Sequence, residues 1–271
     1  MKKIASIILF TMAMVLFAGC NKEEPDPTPT PTDPVNPVVP APVLIPNAVT
    51  DIEGNSYDAV QIGSQVWMAQ NLHTHHYADS TVIHYHDNSN GLYPRVYFPD
   101  HDENNAEMYG YLYNWTAAVG DVSGGSAATP SGVQGICPDG WHLPSDAEWT
   151  QLTDYISSCG YYSCNGDNTA IAKALADTMG WKVSYIDFAV GNNLATNNAT
   201  GFSARPSGSY IKKYVHFGEH TRFWSSTDID NGANNASARP AIYRGIYYHS
   251  AIVGKGSAEK AEGYAVRCVK N

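Results

Sequence analysis

Basic residues are scarce in this sequence. Of its 271 residues, 16 are Lys or Arg and 26 are Asp or Glu, which gives a formal net charge of −10 at pH 7. Proteins that bind nucleic-acid backbones present clustered basic faces, because each phosphate contact is electrostatic. The sequence contains no such cluster, so we expect no nucleic-acid partner.

The motifs of several common enzyme classes are also missing. There is no Gly-rich phosphate loop, no His-Glu-x-x-His zinc motif, no nucleophile elbow and no kinase signature. These motifs supply the phosphate cradle, the metal or the activated nucleophile that such enzymes need. Their absence predicts a protein that is not an enzyme and that uses no cofactor.

No apolar run reaches the length of about 20 residues that a membrane-spanning helix needs. The run 4–17 follows Lys2 and Lys3 and predicts a signal peptide over residues 1–19. Its end, residues 16–20, resembles the bacterial lipobox, which implies that Cys20 is acylated and that lipid anchors the mature protein in a membrane. The alternative is an ordinary secretory signal in which Cys20 is incidental.

Residues 20–46 predict a disordered linker behind that cysteine. Nine of the sixteen prolines lie between Pro25 and Pro46, and such a composition favours an extended spacer without a core. Residues 21–24, Asn-Lys-Glu-Glu, look like the signal that sends lipoproteins of Bacteroidetes to the outer face of the outer membrane. We therefore expect a surface-displayed outer-membrane lipoprotein, although these charges are also compatible with the plain start of a linker.

A folded domain is predicted over residues 47–271. Two alternating apolar segments, 59–62 and 65–68, flank the pair Gly63-Ser64, a pattern typical of a β-hairpin. A short helix is predicted at 115–119, with Asn114 as its N-cap.

The segment that follows Cys137 predicts the start of the main helix. Ser145 and Glu148 have the spacing of a capping box, and Pro144 and Trp149 have the spacing of a hydrophobic staple. An apolar stripe continues from Trp149 through later turns of this helix. A second helix is predicted at 168–179 from its apolar periodicity.

Six blocks of this sequence resemble, in the same order, the Fibrobacter succinogenes major paralogous domain. The blocks are residues 51–72, 109–115, 141–149, 201–206, 223–226 and 266–270. The resemblance covers nearly the whole folded part and implies a structural role for its most distinctive residues. These residues are Trp67, Asn71, Trp115, Trp141, Pro144, Ser145, Glu148, Trp149, Trp224 and Arg267.

The same blocks are similar to the formylglycine-generating-enzyme and C-type-lectin-like folds. This likeness implies an α+β class: a C-type-lectin-like mixed fold with two main helices packed on short, mostly antiparallel β-sheets. Such folds join the chain ends in one sheet, which would place residues 264–269 against the early strands. The calcium-lectin motifs Glu-Pro-Asn, Gln-Pro-Asp and Trp-Asn-Asp are absent, so calcium-dependent sugar binding is not expected.

Four cysteines besides Cys20 allow three disulfide pairings. The resemblance implies a bond between Cys137 and Cys268, since both lie in matched parts of the family pattern. Cys159 and Cys164 are then expected to close a small local loop. A metal or redox site is the alternative, although none of these cysteines has the two-residue spacing that such sites favour.

Histidines are concentrated between residues 73 and 101. If residues 82–86 form a strand, His84 and His86 share one face and could bind a metal ion together with Asp87. The favoured alternative is a polar surface loop, because spacing defines no third ligand.

The run that contains Tyr243, Tyr247 and Tyr248 is a candidate ligand surface. Aromatic faces stack on sugar rings, and neighbouring amides bind their hydroxyls. Trp224 lies in a family block and is expected in the core. We therefore expect a non-catalytic lipoprotein that binds a glycan or a surface protein; the alternative is an enzyme or metal-using protein with a His-rich site at 73–101.

Overall fold

Strands dominate the described part of the chain. The computed structural model describes residues 41–85, 93–164, 166–230 and 238–271, and Val39–Asn271 form one compact unit. The predicted signal peptide 1–19, the lipidation site Cys20 and most of the predicted linker 20–46 lie outside the described residues. Within the described ranges, no helix is both long and apolar enough to cross a membrane.

The described ranges contain many short strands and few helices, which confirms a broadly α+β class with small antiparallel sheets. The strands are β1 (Val43–Thr50), β2 (Ser56–Ile62), β3 (Gln65–Met68), β4 (Val96–Tyr97), β5 (Leu112–Tyr113), β6 (Trp141–His142), β7 (Ser209–Tyr210), β8 (Tyr214–Val215), β9 (His220–Asp228), β10 (Ala241–Tyr247), β11 (Gly254–Ala258) and β12 (Val269–Lys270). The α-helices are α1 (Ala106–Tyr109), α2 (Trp115–Val119), α3 (Asp146–Ser158) and α4 (Ala172–Leu175). Short 3₁₀ turns lie at Pro99–His101, Glu103–Asn105 and Leu194–Thr196.

The main sheet joins the two ends of the described domain. Its strand order is β1-β2-β3-β12-β6. Val269 of the last strand pairs antiparallel with Trp67 on one side and with His142 on the other. The expectation that the C-terminal strand lies against the early strands is therefore confirmed.

The predicted hairpin is present, and the first strand begins earlier than expected. Strands β2 and β3 pair antiparallel around Gly63, whose φ of 61° suits the tight turn. Strand β1 starts at Val43, inside the segment predicted as linker, and pairs with β2. Its Pro46 is tolerated because β1 lies at the sheet edge and its register shifts between Ile45 and Val49.

Helices α2 and α3 begin with the caps that the sequence predicts. The Asn114 side chain accepts a hydrogen bond from the amide of Ala117 at the start of α2. At the start of α3, Ser145 and Glu148 form the complete capping box. Trp149 and the later apolar positions of α3 are buried, as the predicted stripe requires.

The predicted second helix is wrong over most of its length. Only Ala172–Leu175 of the segment 168–179 is helical. Its backbone carbonyls accept hydrogen bonds from the amides of Asn198, Thr200 and Ala204, which belong to a neighbouring segment. A continuing helix would use those carbonyls itself, so these long-range bonds end the helix against its local propensity. Among the described residues the fold therefore has one main helix, not two.

One of the two predicted disulfides is confirmed. Cys137 and Cys268 are bonded, with their Cα atoms 5.9 Å apart. Cys159 and Cys164 are free thiols, so the predicted second pair is not formed. Cys164 is held in a separate tight turn, in which its amide donates to the carbonyl of Ala170.

The main sheet separates two apolar cores. Tyr57, Ala59 and Met68 belong to the first core, which also contains the disulfide, whereas Val60 and Trp67 belong to the second core with α3. This alternation follows from the two-residue period of a strand. The residues with an implied structural role are all buried: Trp67, Asn71, Trp115, Trp141, Pro144, Ser145, Glu148, Trp149, Trp224 and Arg267.

Candidate functional site

Glu148 lies within the domain and its carboxylate is occupied by hydrogen bonds. Oε2 accepts from the amide of Ser145 at 2.8 Å, the hydroxyl of Ser145 at 2.9 Å and the amide of Ser131 at 3.1 Å, and Oε1 lies 2.7 Å from His142 Nε2. Burial raises the pKa of Glu148, but the bonds from His142 and Ser145 outweigh it and leave the pKa lowered. A side chain 5% exposed, with these partners, holds the helix start together and presents no open face to a substrate.

The three tyrosines of the predicted ligand surface do not lie together. Tyr243 and Tyr247 share one face of β10 with Arg222 of β9, whose Cζ is 4.8 Å from the Tyr243 ring centroid and 5.9 Å from that of Tyr247. Tyr243 packs against the first core and Tyr248 against the second. The ring of Tyr248 lies instead beside the ammonium of Lys182, at 5.1 Å.

Glycines shape the surface around Tyr243 and Tyr247. A Cβ atom on Gly256 would lie 2.6 Å from Cζ of Tyr243, and one on Gly254 would lie 3.2 Å from Cε2 of Tyr247. The rings therefore lie over strand β11, where no side chain separates them from the backbone. Both tyrosines are half-buried, and they form a flat aromatic patch on the sheet.

A concave site lies after helix α3, and we call it the Tyr161 cleft. Its volume is about 430 Å³, within the range of pockets that bind small ligands. The rings of Tyr161 and Tyr162 meet edge to face with centroids 4.4 Å apart. The lining side chains that bear on ligand binding are Tyr161, Tyr162, Lys173, Asp187, Phe188, Asn192 and Asn193.

Lys173 fixes the loop that forms one wall of the cleft. Its Nζ donates to the backbone carbonyls of Ala189, Asn192 and Asn193 at 3.4, 2.5 and 3.3 Å. Burial lowers the pKa of Lys173. Because its three donors are used on the backbone, Lys173 acts as a support for the loop. Among the described residues, the side-chain amides of Asn192 and Asn193 have no hydrogen-bond partner, so both amides are available to a ligand.

The segment beside the cleft exposes several large apolar side chains. Val183, Tyr185 and Ile186 are 63%, 95% and 56% exposed, and Phe188, which lines the cleft, is 45% exposed. Clustered apolar exposure of this kind marks interaction surfaces in soluble domains. The lining of the cleft therefore combines tyrosine rings with available amides, and exposed apolar side chains lie in the adjoining segment.

The predicted His84, His86 and Asp87 site is only partly described. His86 and Asp87 lie outside the described residues, and residues 82–85 contain isolated bridges at Val82 and Tyr85 instead of a strand. The structure brings together a different set: His75 Nδ1 and His76 Nδ1 lie 3.1 Å and 2.8 Å from Glu53 Oε1.

Sequence reasoning missed most of these residues because they come from separate segments. Glu53 lies in the turn between β1 and β2, more than twenty residues before the histidines, and Tyr161 lies some thirty residues before Asn192 and Asn193. The signals present were the histidines between residues 73 and 101 and the side-chain amides of Asn192, Asn193, Asn197 and Asn198, each of which shows one side of a site.

The family model described as Fibrobacter succinogenes major domain matches residues 60–270. No curated protein and no solved structure matches the chain.

Proposed function

We propose that this chain, which belongs to the Fibrobacter succinogenes major domain family, is a non-catalytic lipoprotein that binds a neutral oligosaccharide in the Tyr161 cleft. The shape and lining of the cleft carry this proposal. Edge-to-face tyrosines and Phe188 supply apolar ring faces, and the two unpartnered asparagine amides supply donors and acceptors for hydroxyl groups.

The charges in the cleft favour a neutral ligand. Lys173 is the cation among the lining residues, and its donors are already directed to backbone carbonyls. Asp187 contributes an acceptor suited to a hydroxyl group and would repel an acidic sugar. A protein partner that covers the exposed apolar side chains at residues 183–188 is the second candidate, and in that case no glycan on the array described next is bound.

The fold we propose at the finer level is C-type-lectin-like. Three features support it: the C-terminal strand β12 lies between β3 and β6, a disulfide ties that strand region to residue 137, and α3 packs on the sheet. In such a fold the loops that follow α3 are not part of the main sheet and are available for ligand binding. The Tyr161 cleft lies at these loops.

The cleft is tested with the predicted mature chain, residues 20–271, carrying Cys20→Ser so that it is soluble. We expect binding on an array of neutral oligosaccharides, followed by at least about tenfold weaker affinity by calorimetry when Asn192 and Asn193 are both changed to Ala. Tyr247→Ala, on the flat aromatic patch, serves as the matched control and is expected to bind normally. Failure of all glycans to bind, or loss of binding in the control alone, would contradict the proposal.

For the location we propose a lipid anchor at Cys20 and display on the outer surface of the outer membrane. An acylated cysteine carries enough apolar chain for stable anchoring, and the proline-rich linker would hold the domain away from the membrane. In the native host, Cys20→Ser is expected to move the chain from the membrane fraction to the soluble fraction. Protease added to intact cells should degrade the unaltered protein; full protection would place it on the inner side.

A further inference from the structure

We infer that Glu53, His75 and His76 form a binding site for a zinc ion. One ligand atom from each residue lies within 4.8 Å of the other two. The two histidines are adjacent in the chain, and Glu53 reaches them from the turn between β1 and β2. A carboxylate oxygen with two imidazole nitrogens is a donor set that zinc prefers, whereas calcium requires six or more oxygen ligands.

The separations suit a small tetrahedral ion. Ligands placed about 2.0–2.1 Å from zinc are about 3.3 Å apart in a tetrahedron. Glu53 Oε1 lies 2.8 Å from His76 Nδ1 and 3.1 Å from His75 Nδ1, so these two pairs need outward shifts of only a few tenths of an ångström to accept an ion. The third ligand pair lies within 4.8 Å.

One ligand atom has no other role in the structure. His75 Nδ1 is inaccessible to solvent and makes no hydrogen bond of acceptable geometry, although Glu53 Oε1 is close to it. That oxygen already accepts from the hydroxyl of Thr74 at 2.6 Å and the amide of His75 at 2.7 Å. A metal ion would satisfy the lone pair of His75 Nδ1 that the protein leaves without a partner.

Neighbouring residues hold Glu53 and His75 in place before an ion arrives. Asp51 accepts from the amides of Glu53 and Asn55 at 2.9 and 3.0 Å and so fixes the turn. The ring of Tyr85 packs on His75, with centroids 5.3 Å apart. Such outer contacts orient ligands and raise metal affinity.

The site is partly open to solvent. The side chains of Glu53, His75 and His76 are 21%, 28% and 27% exposed. These exposed portions give an ion a path toward the three ligand atoms, of which His75 Nδ1 is itself covered.

Calorimetry with zinc chloride tests the site in the chain 20–271. The background carries Cys20→Ser, Cys159→Ser and Cys164→Ser, because free thiols also bind zinc. We expect one equivalent of zinc per chain and a higher melting temperature with zinc. His76→Gln and Glu53→Gln should each weaken binding at least tenfold, and circular dichroism without metal checks that these variants fold.

His216→Gln is the matched control. His216 Nδ1 also lies close to a glutamate, 2.9 Å from Glu219 Oε2, but without a third ligand within reach among the described residues. This variant is expected to bind zinc like its parent. Absence of saturable zinc binding, or undiminished binding in both His76→Gln and Glu53→Gln, would overturn the inference. Sugar binding in the Tyr161 cleft should be the same in these variants as in their shared Cys→Ser parent, so the two proposals fail independently.

Discussion

Arg267 carries a positive charge in a fully buried position whose acceptors are neutral. Its guanidinium donates to the carbonyls of Met68 and Phe202 and to Asn71 Oδ1, and it lies over the Phe202 ring. Burial lowers its pKa to about 9, so it remains charged at pH 7. Because these acceptors come from two segments that are distant from Arg267 in the chain, one side chain links the early strands to the later loops.

We expect Arg267→Lys to lower the free energy of unfolding by roughly 2 to 3 kcal/mol. An ammonium group cannot reach all the acceptors that the planar guanidinium serves, so at least one buried acceptor loses its donor. Urea denaturation monitored by tryptophan fluorescence measures the change. Arg205→Lys, at a partly exposed ion pair with Asp177, is the control and should change stability by less than about 1 kcal/mol. Equal effects of the two variants would contradict this role for Arg267.

The start of α3 contains a buried polar network. Its capping box is extended by the imidazole of His142, which lies 2.7 Å from Glu148 Oε1 and 2.7 Å from Asn271 Oδ1. Burial lowers the pKa of His142, but the bonds to Glu148 and Asn271 outweigh it and leave the pKa raised. The network thus connects β6, α3 and the last residue of the chain.

This network predicts a pH-dependent contribution to stability. Because folding raises the pKa of His142, the contribution of His142 to folding stability is complete below its ordinary pKa of 6.5. This contribution is lost as pH rises through the folded-state pKa. Because folding lowers the pKa of Glu148, the contribution of Glu148 to folding stability is complete above its ordinary pKa of 4.5. This contribution is lost as pH falls through the folded-state pKa. The difference in unfolding free energy between the unaltered chain and His142→Gln should therefore be largest between pH 4.5 and 6.5 and shrink at alkaline pH. A difference that stays constant from pH 5 to 9 would argue against the charged pair.

Helix α4 shows that hydrogen bonds to a neighbouring segment can override the helix propensity of a sequence. Residues 168–179 have the apolar periodicity of a helix, yet Ala176 is extended and bridges to Ala204. The carbonyls that would extend the helix serve the segment around Asn198 and Thr200. The same hydrogen bonds support the loop that lines the Tyr161 cleft, so the early end of the helix helps to form the site.

At the scale of the whole molecule, the disulfide closes a loop of 131 residues between Cys137 and Cys268. In the chain-entropy model, a loop of that length contributes up to about 5 kcal/mol by restricting the unfolded chain. We expect the variant Cys137→Ala/Cys268→Ala to lose a large part of this stability in urea denaturation. The variant Cys159→Ala/Cys164→Ala, which removes two free thiols, should lose less than about 1 kcal/mol. Similar losses in both variants would show that the long loop is not the source of the effect.

Several features of this protein could be predicted from the sequence because they depend on residues close together in the chain. The capping box of Ser145 and Glu148, the hairpin around Gly63 and the cap at Asn114 are all present as predicted. The pairing of Cys137 with Cys268 followed from the family resemblance, and the matched family confirms that resemblance.

The length of the second helix, the free state of Cys159 and Cys164, and the residues of both proposed sites could not be predicted in this way. Glu53 meets His75 and His76 only because the first hairpin and the following loop fold back on each other. The Tyr161 cleft likewise forms between segments far apart in sequence. Turns and helix caps are stabilised by hydrogen bonds that span a few residues, so the sequence alone determined them. Cleft walls and ligand clusters depend on which distant segments pack together, and competition for the same backbone hydrogen bonds is settled only in the tertiary structure.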